Sequence, residues 1–389
     1  MSAQESIPVW LDCDPGHDDA LAILLASHSQ RIQLLGISIV HGNDTVEHCA
    51  KNALRILWAC GVKGIPVYKG IQRPLVREPK FCPEIHGIPG EQGVAGMCGY
   101  HFPDDIIFSD PNYKVEDTHG VLAMATAIKA NPKKVTVVLT GAQTNFAFAI
   151  RMYPELKDNI EKVIFMGGAI GLGNTGIAAE FNIQIDPEAA SIVFHSGLPL
   201  VMIPLEVTHK VLVRNNILEK LANIDYEQAT APECTNEKKD LEKLPHRHLE
   251  YREASDAVER RKRMQLDSQK AVISKLTRFS SKFAECFYQL LTFFQTTYCK
   301  EFGFESPPLH DPCTIFYLTH PDSFQTLSLY VDVETGSEKC LGRTLCDINS
   351  LSKQQPNVLV CTDIDVDIFW KNMLHCLQLA SKLSPMNNK

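Results

Sequence analysis

The sequence predicts an α/β fold with a mostly parallel central sheet flanked by helices, and a small antiparallel hairpin near the C-terminus. Three observations lead there. Short apolar runs alternate with helical patterns from the first residues onward. Those runs are continuous, as expected of strands covered on both faces. Helix-opening signals such as Asp186-Pro187, an N-cap followed by proline in the first turn, fall between them.

The elements follow in order. Ile7–Leu11 reads as a strand and 18–29 as a helix carrying Ala20, Leu21, Ile23, Leu24 and Leu25. Ile32–Val40 is a second strand, 44–60 a second helix and Ile65–Tyr68 a third strand. After a long loop come a helix over 119–131, a strand at Val135–Leu139, a helix over 143–151 and a strand at Val163–Met166. Asp186-Pro187 opens a helix, and Pro199–Pro204 holds a short buried strand. A long amphipathic helix is expected over roughly 264–300, and another begins near Asp311. Alternating segments around 325–347 suggest the hairpin, and Val358–Cys361 leads into a last helix over 365–381. Between these blocks, residues 233–263 hold eight acidic and nine basic residues with few large apolar ones, the composition of a solvated insertion.

Composition narrows the function classes. The chain has 389 residues, with 38 Lys+Arg against 46 Asp+Glu, a formal net charge of −8. Nucleic-acid binding through a broad basic surface is excluded by that balance. The longest uncharged runs, 135–150 and 163–179, are broken by polar residues or glycines, so no membrane span is expected. The N-terminus lacks the basic and apolar regions of a signal peptide. Thirteen scattered cysteines without a CxxC pair read as reduced thiols of a cytoplasmic protein.

The strongest chemical signal is the end of the first strand, Asp12-Cys13-Asp14-Pro15-Gly16-His17-Asp18-Asp19. Four carboxylates stand within eight residues where a buried strand gives way to a helix, on the sheet edge that binds ligands in open α/β folds. Helix capping accounts for two of these acids and not for four. A hard divalent cation, Ca²⁺ or Mg²⁺, answers the repulsion among all of them. Gly42-Asn43, Thr140-Gly141 and Met166-Gly167-Gly168 follow other strands and face the same edge. The GxGxxG string at 171–176 is a polar loop and not a dinucleotide fingerprint, because it does not open a helix directly. No Walker A, HExxH or GxSxG pattern occurs.

These motifs resemble the nucleoside hydrolase family, the inosine–uridine preferring nucleoside N-ribohydrolases, and among them a eukaryotic uridine nucleosidase-like member. The matching pieces are Asp12 to Ala20, His41-Gly42-Asn43, Leu139-Thr140-Gly141, Met166-Gly167-Gly168, Ala179 to Ala190 and His310-Asp311-Pro312-Cys313, in the family's order. They cover about 7–220 and 264–381 and imply one domain over 1–389, with the charged insertion at about 226–263. The resemblance implies a Ca²⁺-dependent hydrolase that cuts ribonucleosides to ribose and free base in salvage. Uridine would be preferred, with cytidine and inosine as further substrates. Asp14, Asp19, the Thr140 carbonyl and Asp311 would hold the ion, and Asp14 would also be the general base toward water. Asp18, Asn174, Glu180 and Asn182 would bond the ribose hydroxyls, with Asn43 and Met166 lining the sugar pocket. His310 would stand by the leaving base as proton donor, and Tyr298 would flank the base. The family's assembly is a homodimer or homotetramer.

The residue types suit this chemistry. Departure of the base leaves an oxocarbenium-like sugar, which carboxylates beside the ribose favour. A neutral base leaves poorly unless protonated, and an ordinary histidine, with a pKa near ~6.5, supplies that proton at neutral pH. Two departures from the family stand out. The loop His86 to Gly93 carries extra residues, so no contact with the base is assigned to His86, and the insertion has no family counterpart. Two other readings use the same motifs. One is an Asp-x-Asp phosphatase built on Asp12 and Asp14; the other is a Ca²⁺-dependent nucleoside-binding protein without turnover.

Overall fold

The computed structural model describes residues 6–88, 93–94, 96–225 and 278–387. The charged insertion at 226–263 and the expected helix before 278 lie outside these residues. The strands are β1 (Ile7–Cys13), β2 (Ile32–Ile39), β3 (Val67–Lys69), β4 (Gly93–Val94), β5 (Met97–Cys98), β6 (Val115–Glu116) and β7 (Val135–Leu139). They continue with β8 (Ile160–Met166), β9 (Leu200–Ile203), β10 (Phe324–Leu329), β11 (Val331–Val333), β12 (Thr344–Cys346) and β13 (Val358–Ile364). Nine form one sheet in the order β10-β13-β9-β8-β7-β1-β2-β3-β6. Every neighbouring pair in it is parallel except β10 with β13 at the edge.

Apolar residues on successive positions of one strand enter different cores, because side chains alternate across a sheet. Val9, Leu11 and Cys13 of β1 join one core, whereas Trp10 joins the other. The same split divides Ile164 from Val163 and Phe165 in β8. This is why the strands read as unbroken apolar runs. Trp10 is buried with its Nε1–H donated to Ser38 Oγ at 2.8 Å, so its one polar atom is not left unpaired.

The chain order reverses beside β1, which pairs with β2 on one side and β7 on the other. Such a switch point opens a crevice at the carboxyl ends of the strands. The helix His17–His28 leaves β1 there and is buried on nearly all its faces. It packs against the helices Val46–Ala59, Pro312–Thr319 and Val366–Leu383. The contact with Pro312–Thr319 carries Asp311 to the end of β1, across most of the sequence.

The expected helices occur as Gly120–Ala130, Thr144–Met152 and Pro187–Phe194, among others, within a few residues of their sequence limits, whereas the one expected over roughly 264–300 begins only at Lys282, capped by Ser281, and ends at Phe302. The hairpin differs in one respect. It is β11 with β12, whereas the alternating stretch at 324–329 pairs with β13 as an edge strand of the main sheet. Alternation marks a half-exposed strand and does not choose its partner. The short helices Pro83–His86, Asp104–Ile107, Phe181–Gln184 and Leu205–Thr208 were not expected. No described helix is long and apolar enough to cross a membrane.

Candidate active site

At the switch point lies a cavity of about 780 Å³. Ten of the twelve site residues expected from the sequence line it: Asp18, Asn43, Thr140, Met166, Asn174, Glu180, Asn182, Tyr298, His310 and Asp311. The other two, Asp14 and Asp19, are not among its lining residues and are fully buried.

The floor is a carboxylate cluster. Oxygens of Asp18, Asp19 and Asp311 lie within 4.8 Å of one another. Asp19 accepts the Thr140 hydroxyl at 2.8 Å on Oδ1 and the Gly16 N–H at 3.0 Å on Oδ2. Asp14 Oδ2 accepts the Asn43 N–H at 2.7 Å, while its Oδ1 is buried without a partner. The Asn43 side-chain amide ties the two acids together, donating to the Asp14 carbonyl at 3.0 Å and to Asp19 Oδ2 at 3.3 Å. Burial first, and repulsion by Asp19 second, push Asp14 well above the usual carboxylate range and Asp18 up to about 7. Asp311 is pushed up by burial and then by Asp18, Asp19 and Asp14. Among the described residues no Lys or Arg forms an ion pair with any of the four. Hard oxygen donors with an orphaned buried Oδ1 among them suit a divalent cation such as Ca²⁺.

Asp12 stands apart from this cluster. Ser38 Oγ donates to its Oδ2, as does Asn145 Nδ2 at 2.8 Å, and burial raises it to about 7. These two donors take up its Oδ2 and anchor the strand end, and it is not among the clustered carboxylates.

Two glycines shape the pocket of Asp14. A Cβ on Gly42 would collide with Asp14 Oδ2, and one on Gly141 would stand 2.5 Å from Oδ1. Neither glycine has a positive φ, so the constraint is space and not backbone strain. Gly141→Ala is therefore expected to displace the carboxylate and lower kcat/KM about 100-fold. The overpacked site should also cost about 1–3 kcal/mol of stability. Steady-state kinetics and a thermal melt check both; unchanged kinetics would mean that Asp14 tolerates displacement.

The wall is built from the segment after β8. Glu180 caps the helix Phe181–Gln184: its Oε1 accepts Asn182 N–H at 3.0 Å, and Oε2 accepts Ile183 N–H at 3.2 Å and Gly168 N–H at 2.9 Å. Burial raises it to about 7 against those three donors. Asn182 Nδ2 donates to the Thr140 carbonyl at 2.9 Å and to the Met166 carbonyl at 3.3 Å. The Thr140 carbonyl thus already accepts one hydrogen bond, with its second lone pair remaining. Asn174 Oδ1 accepts the Phe181 N–H at 3.0 Å, which folds the 171–176 loop onto the wall. Gly173 is obligatory there, since a Cβ would strike the Ala179 carbonyl.

The far end is aromatic. Tyr298 Oη lies 2.7 Å from His310 Nε2, and Thr208 Oγ1 lies 2.7 Å from His310 Nδ1. Burial, and then His209, push His310 well below its usual value, so the ring is neutral and not the ordinary histidine expected from the sequence. Thr208 escaped the sequence reading because the helix Leu205–Thr208 is too short to leave a pattern. His86 also lines this end, brought in by Pro83–His86 against Phe294.

Comparison with known proteins shows the family. Residues 9–371 match the sequence profile of the inosine-uridine preferring nucleoside hydrolases. A probable ribonucleoside hydrolase of Dictyostelium discoideum is 37% identical over 385 residues, covering 97% of this chain and 96% of the relative. The pyrimidine-specific ribonucleoside hydrolase RihA of Citrobacter koseri is 34% identical over 360 residues, covering 92% and 94%. Among solved structures, the purine-preferring ribonucleoside hydrolase from Gardnerella vaginalis aligns with a TM-score of 0.71 at 26% identity, covering 96% of this chain and 99% of that one. The plant nucleoside hydrolase PpNRh1 has a TM-score of 0.73 at 24% identity over 96% and 99%, a likeness of fold. The chain belongs to the inosine-uridine preferring nucleoside hydrolase family.

Proposed function

We propose that this protein hydrolyses the N-glycosidic bond of ribonucleosides, with Ca²⁺ as cofactor and uridine as preferred substrate. The observation that carries the reading is the buried cluster of Asp18, Asp19 and Asp311 beside the orphaned Oδ1 of Asp14, on the floor of a cavity whose other end is aromatic and holds His310. Asp14, Asp19, Asp311 and the free lone pair of the Thr140 carbonyl would hold the ion. When bound, Ca²⁺ supplies the positive charge that keeps these carboxylates ionised and lowers the pKa of water.

The protein's own groups do the rest. Asp14 Oδ1, a buried carboxylate oxygen with no internal partner, takes the proton from the attacking water. Asp18, Glu180, Asn174 and Asn182 hold the ribose, and their held positions convert binding into orientation. The ionised acids favour positive charge developing on the sugar. At the far end His310 meets Thr208 Oγ1 on Nδ1 and Tyr298 Oη on Nε2, and with its proton on Nε2 it would accept from Thr208 and donate to Tyr298. Tyr298 O–H is then free to donate to the departing base. A neutral His310, as a hydrogen-bond donor, suffices to hold Tyr298 in that direction, with no proton drawn from Thr208, so a low pKa is no obstacle.

The uridine preference draws on the pyrimidine-specific relative and on His310; the purine-preferring structural relative makes inosine the necessary comparison. Incubation of the protein with uridine, cytidine and inosine is expected to release free base, fastest from uridine, and chelation is expected to stop it. No base from any of the three would end the enzyme reading in favour of binding without turnover. Equal rates with and without chelator would end the metal reading alone.

A further inference from the structure

We propose that Glu206 is a positioning residue that sets where Asn174 meets the ribose, by clamping the foot of the loop that carries it. The inference rests on the hydrolase reading and adds selectivity for one sugar hydroxyl to it. Glu206 is not among the residues lining the cavity, and its effect is exerted through Asn174.

The loop 171–179 is closed on itself but must be fastened to the rest of the protein. Thr175 N–H donates to the Ala179 carbonyl at 3.0 Å, and Phe181 N–H donates to Asn174 Oδ1, so these bonds join the loop to its own continuation. They shape the loop and do not fix where it stands on the sheet edge. Its two large apolar side chains add no hold, since Leu172 and Ile177 are 70% and 74% exposed. Glu206 fastens the foot, where Ile170 also packs on the core. Its Oε2 accepts Ile170 N–H at 3.0 Å, and its Oε1 accepts Gly171 N–H at 2.8 Å. A backbone N–H can only donate, so both bonds have one possible direction, and a carboxylate acceptor strengthens them. Among the described residues no Lys or Arg forms an ion pair with Glu206 to compete for that carboxylate.

The neighbouring N–H groups go elsewhere: Gly168 donates to Glu180, and Ala169 donates to Thr344 Oγ1 at 3.0 Å. Glu206 therefore takes the two N–H groups nearest the turn toward Asn174. It does so from the helix Leu205–Thr208, whose Leu205 N–H donates to the Gly168 carbonyl at 3.1 Å. Thr208, at the other end of that helix, meets His310. One helix of four residues thus holds both the foot of the ribose loop and the partner of the base-side histidine, and fixes the spacing between them. Asn174 uses Oδ1 on Phe181, which leaves its Nδ2 as the donor offered to a ligand. That Nδ2 makes no hydrogen bond among the described residues, and Asn174 lines the cavity. A small shift of the loop foot is enough to move this donor off a hydroxyl.

The test uses the full chain with the best substrate among uridine, cytidine and inosine, and with the 2′-, 3′- and 5′-deoxy forms of that substrate. Asn174→Ala identifies the hydroxyl that Asn174 serves: the kcat/KM ratio against the analogue lacking it should fall about tenfold, the scale of one hydrogen bond. Glu206→Gln keeps the shape but turns an NH₂ toward one of the two N–H groups. It should lower the ratio at the same hydroxyl about tenfold, with the other two ratios within about threefold of native. The double variant should match Asn174→Ala alone to within about threefold, since both changes act on one contact. A merely structural loss would lower all the substrates together and leave every ratio intact. Glu206→Asp keeps both acceptors on a shorter stem; it should show the same selective loss at reduced size, and it replaces Glu206→Gln if that variant does not fold. Amide exchange gives a readout without turnover. Gly171 and Phe181, whose N–H reports the Asn174 side chain, should exchange about tenfold faster in Glu206→Gln. No hydroxyl-selective loss in Asn174→Ala, a ratio unmoved in Glu206→Gln, effects that add in the double variant, or unchanged exchange at Phe181 overturns the proposal. If the native chain cleaves no ribonucleoside, the hydrolase reading fails, and exchange at Phe181 still decides whether Glu206 places Asn174.

Discussion

Asp14→Ala is expected to lower kcat/KM for ribonucleosides about 10⁴-fold, the scale of losing a positioned general base. The substitution also removes a proposed cation ligand, so Ca²⁺ affinity should fall in the same protein. Asp14 is held for this work from three sides: Asn43 N–H on Oδ2, and the backbones of Gly42 and Gly141 against its carboxylate. Stability should move the other way. Without Ca²⁺ the native site concentrates buried acids that burial and repulsion push upward, and deleting one relieves that cost. Kinetics, Ca²⁺ calorimetry and a melt in chelator therefore separate a lost function from a lost fold. Activity within tenfold of native would remove Asp14 from the mechanism.

Ca²⁺ at about 100 times its Kd is expected to stabilise the native protein by about 2.7 kcal/mol. For a chain of this size that corresponds to a rise in Tm on the order of 3 °C at neutral pH. The rise should shrink as pH falls from 8 to 5. The sign follows from which state binds protons. Asp14, Asp18, Asp19 and Asp311 all have folded values above the usual 3.8, with Asp18 near 7. The folded protein without the ion thus takes up protons between about 7 and 4 that the unfolded chain does not. Acid stabilises that state and competes with the cation. His41 and His209, pushed down to about 4 by burial, act oppositely, since the unfolded chain binds their protons first. Taking the difference in Tm with and without Ca²⁺ at each pH cancels the histidines. A difference that grows toward pH 5 would contradict the carboxylate site.

The strands and their order along the chain were legible because burial on both faces writes an unbroken apolar run, as in Val135–Leu139. The acids from Asp12 to Asp19 were legible because four like charges in eight residues repel one another unless a cation sits among them. What escaped was whatever depends on a partner far along the chain. The stretch at 324–329 shows its half-exposed face in sequence, but its pairing with β13 is a choice made across the sheet. His86 was left out because extra residues in its loop obscured the match, yet Pro83–His86 brings it to Phe294. Thr208 and Tyr298 meet at His310 from two different helices, and no local spacing announces the contact. The pKa of His310 was misjudged for the same reason, since burial is a property of the assembled core.

The packing of Pro312–Thr319 on His17–His28 has a consequence for how the protein is made. Asp18 leaves the ribosome 293 residues (311 − 18) before Asp311 does. Until the later segment docks, the early acids form an incomplete cage with little hold on a cation. Capture of the proposed ion would in that sense be a checkpoint on the finished chain, and a product truncated before Asp311 would emerge without it.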